Sequence, residues 1–197
     1  MKIVTDTDTA NIGIIILAAG YSKRFNSDKR LARLQSGETL MDATLNKIPE
    51  SFHQRVLVLH PGDEEFGSRY QGNWTLCIAE QANKGMGHSL AAAMTYTLNW
   101  DAAVIGLADM PYVQSSTYRA IQKALLKHPI VRPSCQGRMG NPVGLQATFF
   151  KELSELHGDQ GARNLLLRHE DQLHLMDCAD WGIVQDIDTS EALKKAD

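Results

Sequence analysis

Short apolar runs of strand length recur along this chain, and segments with helical spacing lie between them. Four runs are continuous enough to be strands buried on both faces, at 12–19, 56–60, 75–79 and 102–108. Helices are predicted at 39–47, 64–70, 89–99, 116–127, 148–156, 162–168 and 190–195, and further strands at 130–132 and 143–146. This alternation predicts an α/β fold with a doubly wound, mostly parallel sheet flanked by helices.

The length, net charge and cysteine content of the chain indicate its number of domains, its expected partners and its location. A chain of 197 residues without a repeat or a Pro/Gly-rich linker predicts a single domain, with 1–11 as a flexible N-terminal extension. A net charge of −3 provides no general attraction for nucleic acid or an anionic membrane, so neither is an expected partner. The start lacks the apolar core of a signal peptide, and the 3 cysteines have no metal-binding spacing, so we expect a cytoplasmic protein.

The first candidate site follows the first predicted strand. In doubly wound sheets, ligands bind beyond the carboxyl ends of the strands. The segment "LAAGYSKRFNSDK", residues 17–29, has small residues that allow a backbone to approach a ligand, and Arg24 and Lys29 are suited to neutralising a polyphosphate. It is neither a Walker loop nor a dinucleotide fingerprint. A solvated cationic loop is the structural alternative.

A second glycine-rich segment, "NKGMGHSL", follows the third predicted strand. Gly85 and Gly87 precede Ser89, where the spacing predicts that an alanine-rich helix begins. The free N–H groups of a helix start suit phosphate, ribose or base oxygens. An N-cap serine in an ordinary loop explains the same residues.

Two aspartates are candidate metal ligands. Asp109, in "GLADMPYV", comes directly after a buried strand, and Asp188, in "DIDTSEAL", is the candidate second carboxylate, with Asp186 as its alternative. Mg²⁺ favours one or two carboxylates together with substrate phosphates. A turn at Asp109 and a capping box at Asp188 are the structural alternatives.

Two later loops are candidates for an acceptor pocket. "GRMGNPVGL" brings Asn141 and Pro142 to the start of a strand, and "GDQGAR" contains Asp159 and Arg163. Both loops also have a sufficient structural explanation, since glycine and aspartate commonly end and cap helices.

Taken in order, these motifs resemble the molybdenum cofactor nucleotidyltransferases, and the cytidylyltransferase branch most closely. The N-terminal pattern of that family is Leu-Ala-Ala-Gly-x-Ser-x-Arg-(Met/Phe)-Gly-x-x-Lys, and residues 17–29 match it except that Asn26 replaces a glycine. "GMGHSL", "LADMP", "GNPV", "GDQGAR" and "DIDT" follow in the same order, over nearly the whole chain. After Asp188, the usual Thr-Pro-Glu-Asp is replaced by Thr-Ser-Glu-Ala.

The resemblance implies a Rossmann-like fold similar to the nucleotide-diphosphosugar transferases, and transfer of CMP from CTP to the phosphate of molybdenum-loaded molybdopterin, with release of pyrophosphate. It implies catalytic roles for Arg24, Lys29 and Asp109, and Mg²⁺ binding by Asp109 and Asp188. The expected nucleotide-binding residues are Leu17, Ala18, Ala19, Gly20, Ser22, Gly85, Gly87 and Ser89. The expected acceptor-binding residues are Asn141, Pro142, Asp159 and Arg163.

Several alternatives stay open at this point. CTP is preferred to GTP only because the sequence has Ala18-Ala19-Gly20, where the guanylyl branch tends to have a glycine at the second alanine. The alternatives are a guanylyl analogue, a nucleotidyltransferase with another phosphorylated acceptor, and a non-catalytic carrier of nucleotide or cofactor to a molybdoenzyme. A molybdoenzyme is also an expected partner of the enzyme itself. A carrier would need neither the metal carboxylates nor pyrophosphate release. The presence of Arg24, Lys29, Asp109 and Asp188 therefore favours the enzyme.

Overall fold

The structure is a computed structural model that describes residues 10–21, 25, 27–189 and 193. Its sheet has eight strands, β1 (Ile12–Leu17), β2 (Arg55–Leu59), β3 (Thr75–Ile78), β4 (Ala102–Leu107), β5 (Ile130–Cys135), β6 (Arg138–Met139), β7 (Val143–Gln146) and β8 (Leu173–Asp177). The α-helices are α1 (Leu40–Leu45), α2 (Glu64–Ser68), α3 (Met86–Ala93), α4 (Ser115–Ala124), α5 (Phe150–Ser154) and α6 (Arg163–Arg168). Short 3₁₀ helices lie at Lys29–Leu31, Ala82–Lys84, Met94–Tyr96, Ala147–Phe149, Glu170–Gln172 and Trp181–Val184.

β1 lies between β2 and β4 in the sheet, whose strand order is β3-β2-β1-β4-β7-β5-β6, with β8 beside β5. All six residues of β1 are buried, and both of its neighbours run parallel to it. Leu17 at its carboxyl end is level with Val58 and Leu107, and the Ala108 N–H donates to the Leu17 carbonyl at 3.1 Å. The loops that follow β1 and β4 therefore leave the same edge of the sheet side by side.

Helices cover both faces of the sheet. The side chains of β1 alternate between two buried clusters, one on each face. Ile15 and Leu17 pack with α3, α5 and α6, while Ile14 and Ile16 pack with α1 and α4. Removing apolar surface from water on both faces is the dominant favourable contribution to folding such a layer. The predicted doubly wound α/β fold is confirmed.

The part of the sheet beyond β4 departs from the parallel pattern. β7 runs antiparallel to both β4 and β5, and β6 runs antiparallel to β5, whereas β8 is parallel to β5. β5 continues past its predicted end at 132 to Cys135. The sequence does not predict β8, because none of its residues is fully buried and polar His174 and Asp177 interrupt its apolar pattern.

The helix predicted to begin at Ser89 begins earlier. α3 starts at Met86 with Gly85 as its N-cap, so Ser89 lies inside the helix, where it is buried. The helix predicted at 190–195 lies outside the described residues except for 193, and the predicted N-terminal extension lies outside them up to residue 9. None of the helices in the described part of the chain has the length and apolar character that crossing a membrane requires.

Candidate active site

A cleft of about 430 Å³ lies at the carboxyl edge of β1 and β4. Most of the residues that the sequence assigns to nucleotide and metal line it, namely Leu17, Ala18, Ala19, Gly20, Lys29, Gly85, Ser89, Asp109 and Asp188. Asp186 and Asp159 also line this cleft. Ser22 and Arg24 lie outside the described residues. The structure thus brings together residues from five separate segments of the chain.

Lys29 connects the two predicted metal ligands. Its Nζ donates to Asp109 Oδ2 at 2.5 Å and to Asp188 Oδ1 at 3.0 Å. The Ile187 N–H donates to the Asp109 carbonyl at 3.0 Å, and the Ile187 side chain is buried. This main-chain bond and buried anchor hold Asp186 and Asp188, on either side of Ile187, at the cleft.

The carboxylate of Asp109 is buried in a strongly charged setting. Burial raises the pKa of Asp109, the charges of Asp186 and Asp188 raise it further, and the ammonium of Lys29 offsets only part of this. Burial lowers the pKa of Lys29, but Asp109 and Asp188 outweigh that effect and leave it above its ordinary value. Lys29 is therefore a cation that lies between carboxylates at neutral pH.

One oxygen of Asp109 has no protein partner among the described residues. Asp109 Oδ1 is buried and accepts no hydrogen bond there. Buried polar atoms of this kind are uncommon in native proteins, and this oxygen is suited to contact a bound cation or water. Among the described residues no three His, Cys, Asp or Glu side chains form a metal-binding group. A cation at Asp109 and Asp188 would therefore complete its coordination with water and phosphate oxygens, as Mg²⁺ commonly does.

The two glycines at the start of α3 allow two loops to touch. Gly85 has a φ of 119°, and the Gly87 N–H donates to the Gly158 carbonyl at 2.8 Å. A Cβ at Gly87 would lie 2.7 Å from the His157 carbonyl oxygen, closer than side chains tolerate. Gly87, predicted to bind the nucleotide, is not among the residues that line the cleft, and its N–H joins the start of α3 to the loop that contains Asp159.

A second cavity of about 590 Å³ adjoins the cleft and shares Leu17, Met86 and Leu107 with it as lining. Of the four predicted acceptor residues, Asn141 and Arg163 line this cavity. The other two do not lie with them. Asp159 lines the first cleft, and Pro142 is buried beside Gly106 and lines neither cavity.

Arg30 is a cleft residue that the sequence does not indicate. Its guanidinium is almost fully buried, forms ion pairs with Asp28 and Asp63, and donates to the Ala18 carbonyl at 3.1 Å. The ring of Phe66 lies 4.5 Å from the guanidinium carbon. Asp63 is 33 residues away in the sequence, so no local sequence pattern predicts the ion pair between Arg30 and Asp63. Arg30 fixes the end of β1 and the backbone beside Lys29.

We expect Arg30→Met to destabilise the protein by about 3 to 5 kcal/mol, because it leaves the buried Asp63 carboxylate without its guanidinium partner. For a chain of this length the melting temperature should fall by about 6 to 20 °C. Arg33→Met is the matched control, since Arg33 is exposed and its side chain bonds only the nearby Gly37 carbonyl in the described structure. Equal melting temperatures for the two variants, measured by differential scanning calorimetry, would contradict the stabilising role of Arg30.

The fold and the cleft together define a class of protein. Ligands of doubly wound α/β sheets bind at the carboxyl ends of the strands, and the glycine-lined cleft with its cation and carboxylates lies at that edge. The sequence profile described as MobA-like NTP transferase domain matches residues 14–173. The chain therefore belongs to the MobA-like NTP transferase family and is a nucleotidyltransferase, which confirms the family resemblance seen in its motifs.

Individual proteins and solved structures are similar to this chain over most of its length. The purine catabolism protein PucB of Bacillus subtilis (strain 168) is 32% identical over 191 residues, which cover 90% of this chain and 91% of PucB. The crystal structure of a homologue of Mycobacterium tuberculosis Rv0371c, from Mycobacterium sp. strain JC1, superposes with a TM-score of 0.82 at 24% identity and covers 94% of each chain. Rv0371c from Mycobacterium tuberculosis H37Rv, in complex with manganese, gives a TM-score of 0.73 at 25% identity and covers 93% of this chain and 96% of its own.

Proposed function

We propose that this nucleotidyltransferase transfers CMP from CTP to the phosphate of molybdenum-loaded molybdopterin and releases pyrophosphate. The observation that carries the proposal is the convergence of Lys29, Asp109 and Asp188 at one end of a glycine-lined cleft. A cation and two carboxylates at one point suit a triphosphate together with a divalent metal.

Mg²⁺ is the metal we propose, with Asp109 and Asp188 as its protein ligands. The unpartnered, buried Oδ1 of Asp109 fits a hard cation, and the donor set consists of oxygens alone. The manganese complex of Rv0371c supports a divalent metal in this family. When bound, the metal supplies Lewis-acid stabilisation of charge on the phosphates and a template for their orientation.

The residues of the chain contribute positioning and charge. The acceptor phosphate is already a nucleophile at neutral pH, so the reaction requires no strong general base. Lys29 neutralises charge on the triphosphate, and Arg24 is assigned the same task by its motif. The backbone from Ala18 to Gly20 holds the nucleotide against the sheet edge. In-line positioning and electrostatic stabilisation together account for catalysis of this kind.

The acceptor is assigned to the second cavity. It adjoins the cleft along Leu17, Met86 and Leu107, so a molecule seated there can present a phosphate to the nucleotide. Asn141 and Arg163 line it, and molybdopterin is the acceptor that the sequence motifs favour. The same motifs favour CTP as donor, a molybdoenzyme as the recipient of the product, and a cytoplasmic location.

The reaction is tested by measuring pyrophosphate release from CTP, GTP, ATP and UTP, each with and without molybdenum-loaded molybdopterin. We expect release from CTP only, dependent on both Mg²⁺ and the pterin, and abolished by EDTA. Metal-free molybdopterin serves as the control acceptor that shows whether molybdenum is required.

Other outcomes separate the alternatives. Release with GTP would retain the fold and mechanism but assign the chain to the guanylyl branch. Binding of nucleotide without pyrophosphate release, for every nucleotide tested, would contradict the proposal and favour another acceptor or a carrier.

A further inference from the structure

The second cavity contains two arginines whose charge no carboxylate balances in the described structure. Arg132 extends from β5 and is half-buried, and Arg163 is the first residue of α6. Within the described part of the chain, neither guanidinium forms a salt bridge. Arg132 donates from Nε to the Gly140 carbonyl at 3.0 Å, which fixes the plane of its guanidinium and leaves its two terminal nitrogens for a ligand.

The two arginines also affect each other. Burial lowers the pKa of Arg132, and the charge of Arg163 lowers it further. Arg132 nevertheless stays a cation at neutral pH, because an arginine pKa lies far above neutrality. Glu170 is the one acidic side chain in the lining of this cavity, and it is exposed and paired with neither arginine. An anion between the two guanidiniums would relieve their repulsion.

The remainder of the cavity is suited to the body of an organic molecule rather than to a free ion. Most of the lining is apolar, with Leu17, Met86, Leu90, Ile105, Leu107, Met139, Val143, Ala162, Leu166 and Leu167. The polar amide side chains of Asn141 and Gln160 complete it. A mostly apolar pocket with a few convergent polar groups is typical of small-molecule sites.

We propose that Arg132 and Arg163 together bind an anionic group of the acceptor that is distinct from the phosphate that reacts. The identity of that acceptor rests on the proposed function, whereas the anion site rests on the two arginines. Lys29, Asp109 and Asp188 line the first cleft and not the second cavity. A phosphate that reacts beside those residues is therefore in a different cavity from the arginine pair.

The proposal defines the class of acceptor. It is a molecule with an extended organic body, one terminal phosphate that enters the cleft, and a second anionic group that remains in the cavity. Arginine suits this second group because its planar fork binds oxyanions with two parallel hydrogen bonds. In molybdenum-loaded molybdopterin, the oxygens on the dithiolene-bound molybdenum would be such a group, whereas metal-free molybdopterin has only its two sulfur atoms there.

The anion site is tested first without the acceptor. Binding of inorganic phosphate is measured by isothermal titration calorimetry with CTP and Mg²⁺ saturating the cleft, at constant ionic strength. We expect saturable binding to the wild type and about a tenfold loss of affinity in Arg132→Gln. Arg132→Lys should recover part of that loss, because it restores the charge without the fork. Arg138→Gln is the matched control, since Arg138 stacks on Trp181 outside the cavity lining and should leave phosphate binding unchanged.

Steady-state kinetics then connect the site to the acceptor. In Arg132→Gln, the KM for molybdenum-loaded molybdopterin should rise about tenfold, while the KM for CTP and kcat stay within about twofold of the wild type. The KM for metal-free molybdopterin, where it is a substrate, should change less.

The outcomes separate this proposal from the proposed function. Loss of phosphate binding in Arg132→Gln without any turnover by the wild type on molybdopterin would retain the anion site and overturn the acceptor. Normal turnover with no effect of Arg132→Gln on phosphate binding or on the acceptor KM would overturn the anion site alone. The anion site would also be overturned if the wild type did not bind phosphate. The same conclusion would follow if Asp109→Asn abolished phosphate binding and Arg132→Gln did not.

Discussion

Asp109→Asn should lower turnover by about 1,000-fold or more, equivalent to about 4 kcal/mol of transition-state stabilisation. The substitution keeps the shape of the side chain but removes the charge that the proposed metal site requires. It also replaces the unpartnered oxygen, buried beside Lys29, with a neutral amide group. Binding of Mn²⁺ in the absence of nucleotide, followed by electron paramagnetic resonance, should be lost together with activity.

The same substitution should leave the fold intact. The pKa of Asp109 is raised, which means that folding disfavours its ionised form at neutral pH. Removing that charge therefore costs the native state little, although Lys29 loses one of its two carboxylate partners. We expect the melting temperature to change by less than about 4 °C, or about 1 kcal/mol.

Asp101→Asn is the matched control for Asp109→Asn. Asp101 directly precedes β4, at the opposite edge of the sheet from Asp109, and its carboxylate accepts from the Asn11 N–H at 2.7 Å. The same chemical change there should leave turnover within about twofold. Comparable turnover in both variants would show that Asp109 is not a metal ligand.

How far the sequence predicts the fold depends on burial. β1 and β4 are continuous apolar runs because both of their faces are covered, and such runs are visible without a structure. β8 is half-exposed and pairs with β5, about 40 residues earlier in the chain, so neither its composition nor its neighbours in sequence indicate it. The start of α3 is displaced from the predicted residue because Gly85, which has no side chain to accept a hydrogen bond, takes the N-cap position.

For the site, too, the sequence predicts what a local motif indicates and does not predict contacts between residues that are distant in sequence. The position of Asp109 at the cleft could be predicted, because it comes just after the buried strand β4 and such positions lie at one edge of the sheet. Asp188 follows the 3₁₀ helix Trp181–Val184 rather than a strand, and only its place in the "DIDT" motif indicated it. The salt bridges of Lys29 could not, since they join residues 80 and 159 positions apart through side-chain geometry. Of the two arginines in the second cavity, the sequence indicates Arg163 through its motif but not Arg132, which lies within a predicted strand.

Lys29→Met should reduce turnover by about 100-fold or more, since one charged donor aimed at a developing charge contributes on the order of 3 kcal/mol. The substitution has a second consequence that distinguishes it from Asp109→Asn. Without ligand, the ammonium of Lys29 bonds to Asp109 and Asp188, the same two carboxylates that the proposed metal would bind. Binding of Mn²⁺ to Lys29→Met should therefore be at least as tight as to the wild type, even though activity is lost.

That divergence between metal binding and turnover tests whether Lys29 acts on the substrate or only balances the carboxylates. A residue that merely neutralised Asp109 and Asp188 would become dispensable once a divalent cation took its place, and turnover at saturating Mg²⁺ would then fall less than about fivefold, or about 1 kcal/mol. Lys47→Met is the control, because Lys47 is exposed and outside the cleft lining, and it should change neither quantity. Tight Mn²⁺ binding combined with a large loss of turnover in Lys29→Met alone is explained by a direct contact between Lys29 and the triphosphate.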